Sequence, residues 1–166
     1  NMTIIIKNKE TLLIDEFRFK CSVGKKGFSK NKTEGDHKTP IGTFDLGNIY
    51  YRSDRIEKPI SKIKICKIKK NMGWCDDPNS KNYNKLIKIK KNFKSSYEKL
   101  YRKDSKYDLL ILIKYNYKKV KKNKGSAIFL HLTKNYSPTK GCVAIKKKDF
   151  LILKKLVNKK TKIKII

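Results

Sequence analysis

Apolar and charged residues alternate at period two in several short stretches: Ile63-Lys64-Ile65, Cys66-Lys67-Ile68, Leu86 to Ile89 and Ile163-Lys164-Ile165. A strand throws successive side chains to opposite faces, so a period of two makes one apolar face and one charged face. Segments 2–7, 11–23, 43–51, 107–115, 126–132 and 141–145 are further strand candidates, rich in Ile, Phe, Tyr and Val. The first two are joined by Asn8-Lys9-Glu10 and read as a hairpin. The unbroken LLILI of residues 109–113 reads as a central strand buried on both faces. Helices are expected at about 93–102 and 148–158, the second with Phe150, Leu153, Leu156 and Val157 on one face and Asp149 as its N-cap. Three stretches dense in Gly, Pro, Asn and Asp read as long loops: 24–42, 71–84 and 133–140. With no internal repeat and no linker, residues 1–166 are expected to form one mainly-β domain, and long loops in such a domain are where function concentrates.

The formal net charge of +30 points first to a polyanion partner. Only four of the 44 basic residues are arginine (Arg18, Arg52, Arg55, Arg102), whereas phosphate-reading proteins favour the planar arginine fork. The abundance of Lys, Ile and Asn beside two Ala is what AT-rich coding produces, so the reading is a solvated lysine surface. Such a surface attracts anionic polymers non-specifically and loses them in salt, without a specific nucleic-acid site. The four cysteines, Cys21, Cys66, Cys75 and Cys142, form no C-x-x-C pair, and no histidine lies at zinc-ligand spacing from two of them. A Cys66–Cys75 disulfide is left open by the sequence. No apolar stretch is long enough to span a bilayer, and the run Ile4–Ile6 is too short for a signal-peptide core.

His131 follows the apolar run Ala127-Ile128-Phe129-Leu130, and Cys142 follows Gly141 at the start of Val143-Ala144-Ile145. A cysteine nucleophile needs a thiolate, and an imidazole supplies it by taking the proton. Two neighbouring strands joined by a loop would bring these residues within hydrogen-bond reach. Gly141 would open the backbone to a substrate, and the amides around Cys142, with Gly141 and Val143, would serve as oxyanion donors. The alternative reading is a buried small cysteine and a structural histidine on adjacent strands. The other histidine, His37, is read as a solvent-facing loop residue.

Beside this pair stand two specific loops, EGDHKTPIGTF (34–44) and GWCDDPNSKNYN (73–84). With GSAIFLHL and SPTKGCVAI, they resemble the L,D-transpeptidase catalytic domain (YkuD), in its short single-domain branch. The shared positions are Gly35, Asp36, Thr39, Pro40, Gly42 and Phe44 in the first loop, His131 on its strand, and Gly141-Cys142. There are departures, among them a loop from His131 to Cys142 shorter than in most members. Many members have Ser-His-Gly-Cys followed two places on by Arg or another polar residue; this chain has Thr139-Lys140-Gly141-Cys142 with Ala144. The resemblance implies a mainly-β fold, a sandwich or mixed sheet with two short helices and long active-site loops. It implies Cys142 as nucleophile, His131 as its base, and a cleft walled by Thr39, Pro40, Trp74, Asp76, Thr139 and Lys140. It implies no metal or organic cofactor, a peptidoglycan stem peptide as acyl donor, action in the cell envelope or periplasm, and a monomer. Two rival readings stay open: a basic nucleic-acid-binding module with a vestigial dyad, and a cysteine amidase or acyltransferase on a non-wall amide.

Overall fold

The computed structural model describes residues 2–166. In chain order its elements are β1 (Thr3–Asn8), β2 (Thr11–Ile14), β3 (Phe17–Ser22), β4 (Phe28–Ser29), β5 (Thr39–Pro40), β6 (Gly42–Tyr51), β7 (Ile65–Lys67), β8 (Met72–Cys75), β9 (Leu86–Lys88), β10 (Tyr97–Lys99), β11 (Leu109–Ile113), β12 (Phe129–Leu132), β13 (Val143–Ile145), α1 (Lys147–Leu156) and β14 (Lys162–Ile165). The fold is mainly β, as the alternation requires. In β14 the two lysines are exposed and the two isoleucines buried.

The large sheet runs β11-β12-β13-β3-β2-β1-β14-β6-β7. The ten-residue β6 is long enough to serve three partners: Gly42–Asp45 pair with β14, Leu46–Tyr51 with β11, and Ile49–Tyr51 also with β7. The pairing with β11 closes the sheet into a barrel of mixed strand direction and covers the β11 edge, leaving β7 at the margin. A small sheet, β10-β8-β9, has no strand pairing with it but packs on it through Trp74 and Phe129.

Two apolar cores result, and β11 contributes to both. Leu109, Ile111 and Ile113 join an aliphatic core with Ile4, Ile6, Leu12, Leu130, Val143 and Ile163. Leu110 and Leu112 turn the other way, into a second core with Trp74, Leu100, Tyr107, Phe129 and Cys142. Burying one such aliphatic side chain contributes about 1.5–3 kcal/mol, which is why an LLILI segment holds the centre. From α1, Phe150 and Leu153 pack into the first core.

Several sequence expectations are corrected. The segment 11–23 is two strands, because Asp15 takes a left-handed backbone (φ +51°) and turns the chain. The helix expected at 93–102 is absent; Tyr97–Lys99 pair instead with Gly73–Cys75, and strand pairing overrides local preference. One helix remains of the two expected. The loop 71–84 begins as a strand, β8, and 24–42 contains β4 and β5, paired in parallel. Asp149 is not the N-cap, which is Lys146; it lies in the first turn, where its charge suits the helix dipole. All four cysteines are free thiols, so Cys66 and Cys75 are not bridged. No helix among the described residues is long and apolar enough to cross a membrane.

Candidate functional site

Strand periodicity sets the candidate pair on one face. In β12, Leu130 and Leu132 point into the first core, so Phe129 and His131 point out of it. In β13, Val143 and Ile145 point inward, leaving Cys142 and Ala144 on the outer face. The two strands pair in parallel, Leu130 with Val143 and His131 with Ala144. His131 therefore stands beside Ala144, and Cys142 stands one pleat away beside Phe129. Both side chains open onto one cavity of about 440 Å³.

No hydrogen bond joins the two, which corrects the expectation of direct contact. Running in the same direction, the strands place His131 and Cys142 diagonally. The Cys142 Sγ donates to the Ala127 carbonyl (3.2 Å) and accepts from the Phe129 amide (3.3 Å). The His131 Nδ1 lies 2.9 Å from the Leu132 carbonyl. A carbonyl only accepts, so Nδ1 carries the proton and Nε2 of the neutral ring keeps its lone pair.

Both groups are neutral in the resting protein. Burial, with a further contribution from the nearby Glu98 carboxylate, pushes the Cys142 thiol up to about 12. The Phe129 amide, Lys32 and the Tyr107 hydroxyl act against this rise. Burial lowers the His131 imidazole to about 4, opposed by the Leu132 hydrogen bond and reinforced by the charges of Lys106 and Arg102. A neutral thiol beside a neutral imidazole is the starting state for general-base attack, with the proton moving during the reaction.

The loops brace this face. Thr139 Oγ1 donates to the Cys142 carbonyl (2.6 Å) and accepts from the Gly141 amide (3.1 Å). The Gly141 amide is thus engaged within the turn and is not a free oxyanion donor. Gly141 is required for another reason: its φ is +146°, and a Cβ there would lie 2.9 Å from the Lys38 carbonyl. Thr39 and Pro40 are buried and do not line the cavity; Thr39 Oγ1 accepts from the Gly24 amide (2.8 Å). Val143 is buried in the first core. Asp36 ties its own loop together by accepting from Lys32 Nζ (2.7 Å) and the amides of Thr33 and Lys38.

Trp74 is likewise a bracing residue and not part of the cavity wall. It is 1 % exposed, packs edge-on against Phe129, and donates from Nε1 to Asn84 Oδ1 (2.8 Å). The same Asn84 oxygen accepts from the Ala127 amide (3.0 Å), and the Ala127 carbonyl receives the Cys142 thiol. Ala127 itself adopts φ +54°, and this chain of contacts holds it there. Asp76, Thr139, Lys140, Gly141, Cys142 and His131 do line the cavity. His37, expected in solvent, is half-buried and also lines it.

Sequence reading missed the wall facing the pair. Glu98, Arg102 and Tyr107 line the cavity, Glu98 and Arg102 coming from the segment read as a helix. The Tyr107 hydroxyl donates to Glu98 Oε1, and the Tyr107 ring meets the His131 ring edge-on, with centroids 5.3 Å apart. Arg102, Lys106 and Lys140 make this side cationic, while Asp76 and Glu98 supply negative charge. One Asp76 carboxylate oxygen is buried without a hydrogen-bond partner. Among the described residues no group of three or more His, Cys, Asp or Glu is placed to hold a metal ion.

Comparison with known proteins gives the family and the fold. The family model for the L,D-transpeptidase catalytic domain, YkuD, matches residues 1–165. No curated protein matches the chain. Among solved structures, Bd1075 from Bdellovibrio bacteriovorus is similar at 15 % identity and a TM-score of 0.52, covering 99 % of this chain and 47 % of that one. The helical cell shape determining protein Pgp2 from Campylobacter jejuni is similar at 16 % identity and a TM-score of 0.51, covering 99 % and 46 %. At these identities the likeness is one of fold, and the chain spans about half the length of either structure.

Proposed function

The chain belongs to the L,D-transpeptidase catalytic-domain family, and from that premise we propose that it is a cysteine acyltransferase acting on peptidoglycan stem peptides. In this reading His131 Nε2 takes the Cys142 thiol proton as sulfur attacks the carbonyl of the diamino-acid residue at its L-centre. The tetrahedral intermediate collapses to a thioester, and the protonated imidazole returns its proton to the departing amine of D-alanine. An amine of a neighbouring stem, or water, then attacks the thioester with His131 again as base, giving a cross-link or a shortened stem and regenerating the thiol.

The observation that carries this reading is the shared cavity: a thiol and a basic imidazole nitrogen on one wall of an opening large enough for a peptide segment. Arg102, Lys106 and Lys140 on the cavity lining suit the carboxylates of a stem peptide. The Pgp2 structure is described as that of a cell-shape-determining protein, in keeping with a substrate in the wall. The proposed place of action is accordingly the cell envelope.

The direct test is release of D-alanine from a purified stem tetrapeptide, with cross-linked dimer followed in parallel. Cys142→Ala is expected to abolish both while the protein stays folded. D-alanine release by that variant at the wild-type rate rejects the assignment.

A further inference from the structure

In a chain whose cations are overwhelmingly lysine, three of the four arginines converge on one short segment, residues 102–108. Arg52 donates to the Arg102 carbonyl (2.5 Å) while its Nε and Nη2 hold Asp54 (2.9 Å each). Arg55 donates to the carbonyls of Lys103 (2.9 Å) and Asp104 (2.8 Å) and to Asp108 Oδ1 (2.9 Å). Arg102 grips Asp104 through Nε and Nη2. Each makes several bonds from one planar fork, which a lysine ammonium does not reproduce. These are the positions where Arg is geometrically required, and they immobilise an otherwise irregular stretch of backbone.

What that stretch carries is Tyr107. Its side chain is almost wholly buried, its ring stands edge-on to both His131 (5.3 Å, 68°) and Phe129 (5.5 Å, 89°), and the Arg102 guanidinium lies 5.1 Å from the ring centroid. Its hydroxyl is tied to Glu98, itself 4.0 Å from Arg102. Among the described residues, His131 is hydrogen-bonded only at Nδ1, to a backbone carbonyl. Beside that bond, the Tyr107 ring packs edge-on against the imidazole.

We propose that Tyr107 is a positioning residue for His131, holding the imidazole plane so that Nε2 faces the Cys142 side of the cavity, with Glu98 fixing Tyr107 and Arg52, Arg55 and Arg102 fixing the segment. The inference rests on the functional reading above in one respect only, that His131 acts as base toward Cys142. Where a carboxylate would orient the histidine of a triad, packing against an anchored phenol takes its place.

The test is alkylation of Cys142 by iodoacetamide between pH 5 and 10, located by peptide mass mapping so that Cys21, Cys66 and Cys75 are scored separately. His131→Ala is expected to slow alkylation near neutral pH by about 100-fold, the lower range for loss of a general base. Tyr107→Leu, which removes the ring, is expected to slow it by about ten- to 100-fold through misplacement of that base. Tyr107→Phe keeps the ring and loses the Glu98 bond, and is expected to slow it by about threefold. In a His131→Ala background both losses should shrink, leaving only the small direct effect of removing a Tyr107 hydroxyl that helps to lower the Cys142 thiol. A purely structural role makes the opposite forecast, since a loosened site exposes Cys142 and alkylates faster. Wild-type rates and pH profiles in both Tyr107 variants, or equal losses with and without His131, overturn the proposal. Tyr107→Phe decides it alone if the leucine variant does not fold. D-alanine release, measured on the same proteins, judges the substrate separately: His131-dependent alkylation without turnover rejects the wall peptide and leaves the positioning role standing.

Discussion

Cys21 and Cys142 lie on strands that pair with one another, and by acidity they are twins. Cys21 in β3 faces Ile145 in β13, and its thiol, like that of Cys142, is raised to about 12 by burial and then by a carboxylate, Glu10 for one and Glu98 for the other. Both are nearly buried, at 1 % and 8 % exposure. They differ in the core they face. Cys21 points into the aliphatic core among Ile, Leu and Val side chains. Cys142 points into the aromatic core, where Tyr107 and Phe129 leave a cavity shared with His131. Resting acidity therefore does not distinguish a nucleophile from a core residue in this molecule. Access, and a base with a free lone pair, do.

The strongest way to break this comparison is to exchange the two sulfurs for oxygen. Cys142→Ser is expected to lower D-alanine release by about 10⁴-fold or more, the scale seen when a nucleophile is removed from a preorganised site. Cys21→Ser should leave turnover per folded molecule unchanged and lower stability by about 1–3 kcal/mol, since a hydroxyl is buried there in apolar surroundings. Equal losses of turnover in the two variants would erase the distinction between the cores.

The second test compares the cores themselves. Trp74→Ala should cost about 3–5 kcal/mol in urea denaturation, as should a comparable deletion in the aliphatic core such as Phe150→Ala. Only Trp74→Ala should also slow Cys142 chemistry in the folded protein, because Asn84 then loses the partner that helps it hold Ala127 against the thiol.

The third is a pH dependence. His131 is held near 4, below the usual histidine value of about 6.5. Between these values the unfolded chain binds a proton that the native protein refuses, so stability falls as pH drops from about 6.5 to 4 and levels off below. The span amounts to roughly 3 kcal/mol, and His131→Gln should remove it. The same lowering keeps the base unprotonated in mild acid, so the acid limb of kcat/KM should lie near pH 4. A limb near 6.5 would contradict the burial of His131. The smallest effect is expected from Arg55→Lys: about 1 kcal/mol in stability, with a modest loss of alkylation rate at Cys142.

The sequence was most informative where strand geometry alone fixes the outcome. The apolar runs of β12 and β13 were enough to foresee His131 and Cys142 on neighbouring strands, and LLILI was enough to foresee a strand buried on both sides. What it concealed depends on pairings between distant segments. Residues 93–102 carry a Glu98–Arg102 spacing that suits a helix as well as it suits the observed wall, and only pairing of Tyr97–Lys99 with β8 decides between them. The turn at Asp15 has no Gly or Asn to announce it. Thr39, Pro40 and Trp74 belong to specific motifs, yet they support the cavity from behind, through Gly24 and through Asn84, where a motif cannot distinguish lining from bracing. Tyr107 lay in a strand candidate with nothing local to connect it to His131.

Of the four thiols, Cys142 is the one expected to react, because a cavity and the His131 base adjoin it. Intact-mass analysis after exposure to a carbapenem or to muropeptides, followed by peptide mapping, tests it without presupposing the acyl acceptor. A single covalent adduct is expected, on Cys142, lost in Cys142→Ala and slowed in His131→Ala. A folded, reduced protein that acquires no adduct, or acquires it on the more exposed Cys66, would contradict it.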